Sequence, residues 1–178
     1  MDQQMELAVV KPKELTQKDI QDMITLIAEF GEVVFSYLEK NFPKARSIGY
    51  IKIDGRIVSV AALKTVEKEY IDDVYGRAGL PAPRKHLYEY GYAATNRDFQ
   101  GRGFSSAILK QLLNSLPEGQ RIYATVRSEN KKEIHILKKH GFKEIGELNS
   151  KRGDYKLKLF EYEREDICFS FRFRSRLN

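Results

Sequence analysis

Apolar and polar residues recur with a period of two in some stretches of the chain and near 3.6 in others, and the changes between them predict its elements. Residues 7–10 read as a short first strand. Thr16 stands where a helix N-cap belongs, with Asp19 three residues on to complement the free amides. Ile20, Met23, Ile24 and Ile27 then follow at helical spacing. A second helical stretch covers 33–40 and ends before Pro43. Ser47–Ile53 alternates as a strand, Asp54-Gly55 is a strong hairpin signal, and Arg56–Lys64 returns as the partner strand. Residues 67–85 are polar and carry Gly76, Gly79, Pro81 and Pro83, so they read as a long loop with one helical turn around 71–75. Loops of that length usually serve as lids or binding loops.

Residues 87–95 form a strand rich in Tyr and small side chains. The clearest helix is 105–116, where Ile108, Leu109, Leu112, Leu113 and Leu116 make one apolar face that stops at Pro117-Glu118-Gly119. A strand at 121–126 follows, then a helix at 131–140 with Gly141 placed for a left-handed cap. Residues 142–147 and 156–162 look like a closing strand pair joined near Gly153. In the tail, 167–174, Phe169, Phe171 and Phe173 alternate with Ser170, Arg172 and Arg174, as in one more edge strand. Mixed strands and helices over 178 residues, 42% of them hydrophobic, make an α/β (α+β) chain with one core, a single domain over 1–178.

Charge and cysteine usage narrow the chemistry. A net charge of +6 suits a polyanionic cofactor, an acidic partner, nucleic acid or plain solubility equally well. The single cysteine, Cys168, excludes an internal disulfide and a cysteine zinc site. His86, His135 and His140 have no metal-ligand spacing, so no metal is expected. The start carries Asp2 and Glu6 rather than a signal-peptide core, and no apolar run approaches membrane length. The expectation is a cytoplasmic protein with no membrane partner.

The chemistry concentrates in Thr95-Asn96-Arg97-Asp98-Phe99-Gln100-Gly101-Arg102-Gly103-Phe104-Ser105, which joins a strand to a helix. Two glycines at alternate positions allow a tight turn and close approach of a ligand. The following helix, opening at Phe104, Ser105 and Ser106, offers unpaired amides and the positive end of its dipole. Together they suit a pyrophosphate, and Arg102 adds a charged donor. A G-x-G at such a junction also occurs simply as a tight turn.

This turn and its context resemble the GNAT superfamily, the acetyl-CoA-dependent N-acetyltransferases. The family's motif is Gln or Arg, two residues, Gly, one residue, then Gly or Ala; Gln100, Gly103 and Ser105 fill those places, Ser105 as a small departure. A second block, Asn130 through Gly141-Phe142, matches the family's Asn, helix and Gly-Phe, and the resemblance spans about 7–162. It implies a mixed, mostly antiparallel central sheet flanked by helices, with the strand before the phosphate turn splayed from its neighbour. It also implies acetyl-CoA as co-substrate, cradled by Gln100, Gly101, Arg102, Gly103, Phe104, Ser105 and Ser106. The pantetheine would lie along Ala93, Ala94 and Thr95, whose alanines equally suit packing beneath a helix. Asn130 would bond the cofactor's amide arm or cap its own helix. Glu89 holds a place where many members keep a general base, on a face shared with Gly91 and Ala93; a solvent-facing strand Glu is the other reading. Other members put the base on the next strand, where Thr125 here cannot serve. Leu137 stands where the family often has a Tyr acid, so Tyr123, Ser128 or water would take that part, or the thiolate leaves unaided.

The function implied is acetyl transfer from acetyl-CoA to an amine by direct attack on the thioester. The alternative is a non-catalytic acyl-CoA-binding module of the same fold, consistent with Leu137. The acceptor would be a small-molecule or peptide amine, with 67–85 shaping its site and 163–178 a C-terminal extension; a homodimer is left open. A third reading, nucleic-acid binding through Arg172, Arg174 and Arg176, is less favoured than an edge strand protected by charge.

Overall fold

Seven strands and four of five α-helices follow the predicted order in the computed structural model, which describes residues 4–29 and 33–165. The elements are β1 (Met5–Val10), α1 (Gln17–Ala28), α2 (Phe35–Asn41), β2 (Ser47–Ile53), β3 (Arg56–Lys64), α3 (Lys68–Arg77) and β4 (Tyr88–Thr95). After these come α4 (Phe104–Asn114), β5 (Arg121–Arg127), α5 (Lys131–Lys139), β6 (Lys143–Asn149) and β7 (Lys156–Glu163). The anticipated tail strand and the basic residues 172, 174 and 176 lie outside the described residues.

Local chemistry explains the boundaries. Thr16 Oγ1 accepts from the Asp19 amide at 3.1 Å and caps α1. Asp54 and Gly55 both take positive φ, +50° and +77°, which a two-residue hairpin between twisted strands requires. The segment read as a long loop contains α3 instead. Its apolar stripe is short, Ile71, Val74 and Tyr75, all buried. The remaining faces are charged and tied by Lys68–Asp72 and Asp73–Arg77 pairs at i, i+4. High polarity concealed a helix whose one apolar stripe has the right period.

The strands form one sheet in the order β1-β2-β3-β4-β5-β7-β6. Every neighbouring pair is antiparallel except β4 and β5. One face carries α4 and α5 over a core that includes Val58, Leu63, Tyr90, Leu112, Ala124, Leu137 and Phe160. The other carries α1 and α2 over Ile48, Val60, Ala62 and Ala94. On that second face α3 covers Leu87, Tyr123 and Leu159. This is the mixed, mostly antiparallel sheet flanked by helices that the resemblance implied.

Two irregularities shape the middle of the sheet. The parallel register of β4 and β5 holds only Tyr88 opposite Ile122 and Glu89 opposite Tyr123. Beyond Glu89 the two strands part, leaving one backbone edge of each unpaired. On its other side β4 bulges: Ala62 faces Gly91 and Val60 faces Ala94, so Ala61 spans both Tyr92 and Ala93. Tyr92 takes φ +56°, unusual for a residue with a Cβ and a common mark of a functional site. The bulge also breaks the alternation. Tyr90 joins the α4 side of the core, whereas Tyr92 and Ala94 both join the α1 side. Glu89 and Ala93 therefore do not share the face that unbroken alternation predicts.

Candidate active site

Glu89 sits at the point where β4 and β5 separate. It is 4% exposed, so it is not a solvent-facing strand residue. Lys64, directly opposite it on β3, brings its ammonium to 2.7 Å from Oε2. The approach is off the hydrogen-bonding direction, which leaves Oε2 ion-paired yet without a directed hydrogen bond. Thr125 Oγ1, across the opening on β5, donates to Oε1 at a long 3.4 Å. Thr125 thus supports the carboxylate from the strand where it could not be the base itself.

Phenols surround this carboxylate. The Glu89 charge, followed by burial, holds the Tyr70 hydroxyl above its ordinary range. Burial and then the same charge do so for Tyr123, and burial followed by Tyr37 and Glu89 for Tyr92. All three stay protonated near neutrality, so each keeps a proton to donate. The Tyr123 hydroxyl is buried without a hydrogen-bond partner, an unmet donor of the kind a ligand satisfies. These side chains come from α3, β4 and β5, and sequence reasoning missed most of them because only the sheet brings them together.

At its far end β4 runs into the glycine turn. Gly101 and Gly103 take φ +77° and +79°, and a Cβ on either would meet nothing within 4 Å. The space over the turn is therefore open to a ligand. Gly103 is the N-cap of α4 and has no side chain to satisfy the first amides. The first intrahelical bond runs from Ala107 N–H to the Gly103 carbonyl, so the amides of Phe104, Ser105 and Ser106 have no partner within the helix. Gln100 Nε2 donates to the Thr95 carbonyl at 3.2 Å and closes the turn. Arg102 donates to the Asp98 carbonyl at 3.3 Å and stacks 4.8 Å over Phe99, which lies against Phe104.

Ser105, the departure from the family motif, has a structural use. Its hydroxyl lies 3.0 Å from Thr95 Oγ1, which is 2.8 Å from Ser59 Oγ. That chain of hydroxyls pins the start of α4 to the end of β4 and to β3. Ser106 Oγ lies 2.7 Å from His140 Nε2 at the end of α5. Burial, then the charges of Lys139 and Lys110, push the His140 ring below its ordinary 6.5, so it stays neutral near neutrality. Ala93 is exposed beside the opening, and Ala94 is buried against α1 and α2. Asn130 Oδ1 accepts from the Glu133 amide at 3.1 Å and caps α5, leaving its NH₂ end uncommitted by that bond.

Comparison with known proteins agrees with this geometry. The Acetyltransferase (GNAT) family model matches residues 17–142. The chain belongs to the GNAT acetyltransferase family. A search of the curated proteins finds no match. Among solved structures, the ribosomal-protein-S18-alanine N-acetyltransferase of Escherichia coli superposes with TM-score 0.66 at 13% identity, covering 97% of this chain and 99% of that one. A GNAT acetyltransferase from Streptococcus agalactiae gives TM-score 0.66 at 18% identity over 91% and 96% of the two chains. The protein yncA from Salmonella typhimurium, solved with its cofactor acetyl-CoA, gives 0.61 at 11% over 91% and 95%. At such identities the likeness is one of fold. The point where β4 and β5 part and the N-terminus of α4 stand towards the two ends of one strand, β4.

Leu137 departs from the GNAT pattern and is 0% exposed, packed in the core with Tyr90 and Phe142. Leu137→Tyr is expected to overpack that site and to cost about 1–3 kcal/mol. Melting temperature and turnover measured on one preparation check this, and both should fall. A stable variant with faster turnover would show instead that position 137 reaches the bound cofactor.

Among the described residues no helix is long and apolar enough to cross a membrane, and no group of His, Cys, Asp or Glu has a metal-holding arrangement.

Proposed function

We propose that this GNAT chain transfers an acetyl group from acetyl-CoA to the amine of a small-molecule or peptide acceptor, with Glu89 as general base. The observation that carries this reading is the end of the β4–β5 register at Glu89: the candidate base stands at the vertex of the opening, and the amide-rich turn stands at the other end of the same strand. The residues present fit the cofactor. Gly101 and Gly103 leave room over free amides for a pyrophosphate, and Arg102 borders them. The β4 edge past the end of the β5 register, at Ala93, Ala94 and Thr95, would offer backbone groups to an amide-bearing arm, and the NH₂ end of Asn130, the N-cap of α5, would add a donor. Acetyl-CoA supplies the activated thioester when bound.

Glu89 accepts a proton from the incoming ammonium, directly or through water, and frees its lone pair for attack. Thr125 holds Oε1, and the protonated phenols of Tyr70 and Tyr92 stand within electrostatic reach of the carboxylate. The acceptor would enter on the face of α1, α2 and α3, so residues 67–85 border its site as a helix followed by a short connection. No tyrosine acid occupies position 137, so the thiolate would take its proton from Tyr123, Ser128 or water, or leave unaided. The whole chain, 1–178, would act as one domain with 163–178 as an extension.

Thermal melting with CoA or acetyl-CoA, followed by a CoA-release assay over a panel of amines, tests the proposal. Saturating cofactor at 100 times its Kd should stabilise the fold by about 2.7 kcal/mol. A shift without CoA release from any amine would favour the non-catalytic acyl-CoA-binding reading, which buried Leu137 supports. No shift at all would remove the acetyl-CoA reading.

A further inference from the structure

An amine of this chain already rests on the candidate base. Lys64 ends β3 opposite Glu89, with Nζ 2.7 Å from Oε2. The same ammonium lies 4.9 Å over the Tyr92 ring centroid, within cation–π range. It occupies the space that Gly91 leaves: a Cβ there would stand 3.2 Å from Nζ and 3.0 Å from Cε. The lysine therefore sits against the bulge of β4, at the point where β4 parts from β5. Its side chain is 18% exposed, so it is neither sealed in the core nor free in solvent. Among the described residues, every other ion-paired lysine holds a carboxylate other than Glu89.

We propose that Lys64 is itself an acetyl acceptor, and that the chain acetylates its own Lys64 ε-amine in cis. This rests on the reading above, in which the opening holds acetyl-CoA and Glu89 is the base. Glu89 takes one proton from the Lys64 ammonium, and the freed lone pair attacks the thioester carbonyl carbon. The N–C bond forms and the C–S bond breaks, with its electron pair leaving on sulfur. The second nitrogen proton is lost from the adduct and the thiolate is protonated, giving Nε-acetyllysine and CoA. No oxidant or further reactant is needed. The product amide is no longer nucleophilic, so the reaction stops after one acetyl group per chain. It also removes the cation facing Glu89, so the modified chain differs from the unmodified one at the base itself.

The test incubates the full chain with acetyl-CoA and no added amine, following intact mass and mapping the modified peptide, with melting temperature as a separate readout of cofactor binding. The expected result is one acetyl group, on Lys64, added at a first-order rate independent of protein concentration. Lys64→Arg should keep the thermal shift and gain no acetyl group at that position. Glu89→Gln should slow the modification by about a hundredfold or more. Finding Lys64 already acetylated in the isolated chain, and not in Glu89→Gln, counts as the same result. A normal thermal shift with Lys64 unmodified overturns this proposal and leaves the acetyl-CoA reading standing. So do acetyl groups spread over surface lysines at rates that ignore Glu89→Gln, or a rate that rises with protein concentration. No thermal shift removes both.

Discussion

Glu89→Gln should lower kcat for amine acetylation by about 10²–10⁴-fold, with acetyl-CoA still raising the melting temperature as in the unmodified chain. Glutamine matches the carboxylate in shape, and its amide oxygen can still accept from Thr125. It cannot take a proton from an ammonium. The loss should therefore appear in kcat. The substitution also leaves the Lys64 ammonium without its countercharge in a largely buried place. Breaking one side of a fully buried pair costs about 3–5 kcal/mol, and 18% exposure of the lysine side chain should bring the cost below that. Melting curves separate this loss from the catalytic one, because a folded variant that binds cofactor and turns over slowly isolates the base. An unchanged kcat would hand the proton to water or to another group.

Gly103→Val should abolish measurable acetyl-CoA binding while the chain remains folded. Two effects act together. At φ +79° a β-branched side chain is strained by about 1–3 kcal/mol, which lowers the melting temperature. Its side chain also enters the open space where a pyrophosphate would meet the α4 amides. Losing two charge-assisted hydrogen bonds at roughly 1.5–3 kcal/mol each would weaken Kd by about a hundredfold or more. Gly103→Asn separates the two effects, because asparagine tolerates the left-handed conformation. It should melt close to the parent and still bind acetyl-CoA poorly. Titration calorimetry on both variants decides the matter, and normal binding by either would place the cradle elsewhere.

Much of this architecture was legible because its signals are local. The alternation of 47–53, the Asp54-Gly55 signal and the apolar run that follows placed β2 and β3 to the residue, and the turn realises the positive φ angles that the dipeptide permits. Thr16 and Asp19 mark the start of α1, and Gly141 ends α5 with φ +86°. The turn 100–105 needed only its glycines and the apolar face of the next helix to be placed between β4 and α4. Even α3 left a trace, in the spacing of Ile71, Val74 and Tyr75, although charged neighbours outweighed it. All of these rest on backbone preferences and hydrogen bonds reaching a few residues along the chain.

The site was decided by contacts that sequence spacing does not encode. Lys64 and Glu89 are 25 positions apart, and Glu89 and Thr125 are 36 apart. They meet because the β3–β4 register and the short β4–β5 pairing put them side by side. The bulge at Tyr92 and Ala93 reverses which face the following residues present, and a one-residue shift of register is invisible to a period-two pattern read on one strand. Likewise, Asn130 and Ser105 carried motif positions in the sequence; the cap read as one option for Asn130 is present, but only the folded chain shows the hydroxyl anchor from Ser105 to Thr95. Turns and caps are decided by their own few residues, whereas a buried carboxylate takes its partners from whichever strands the sheet sets beside it.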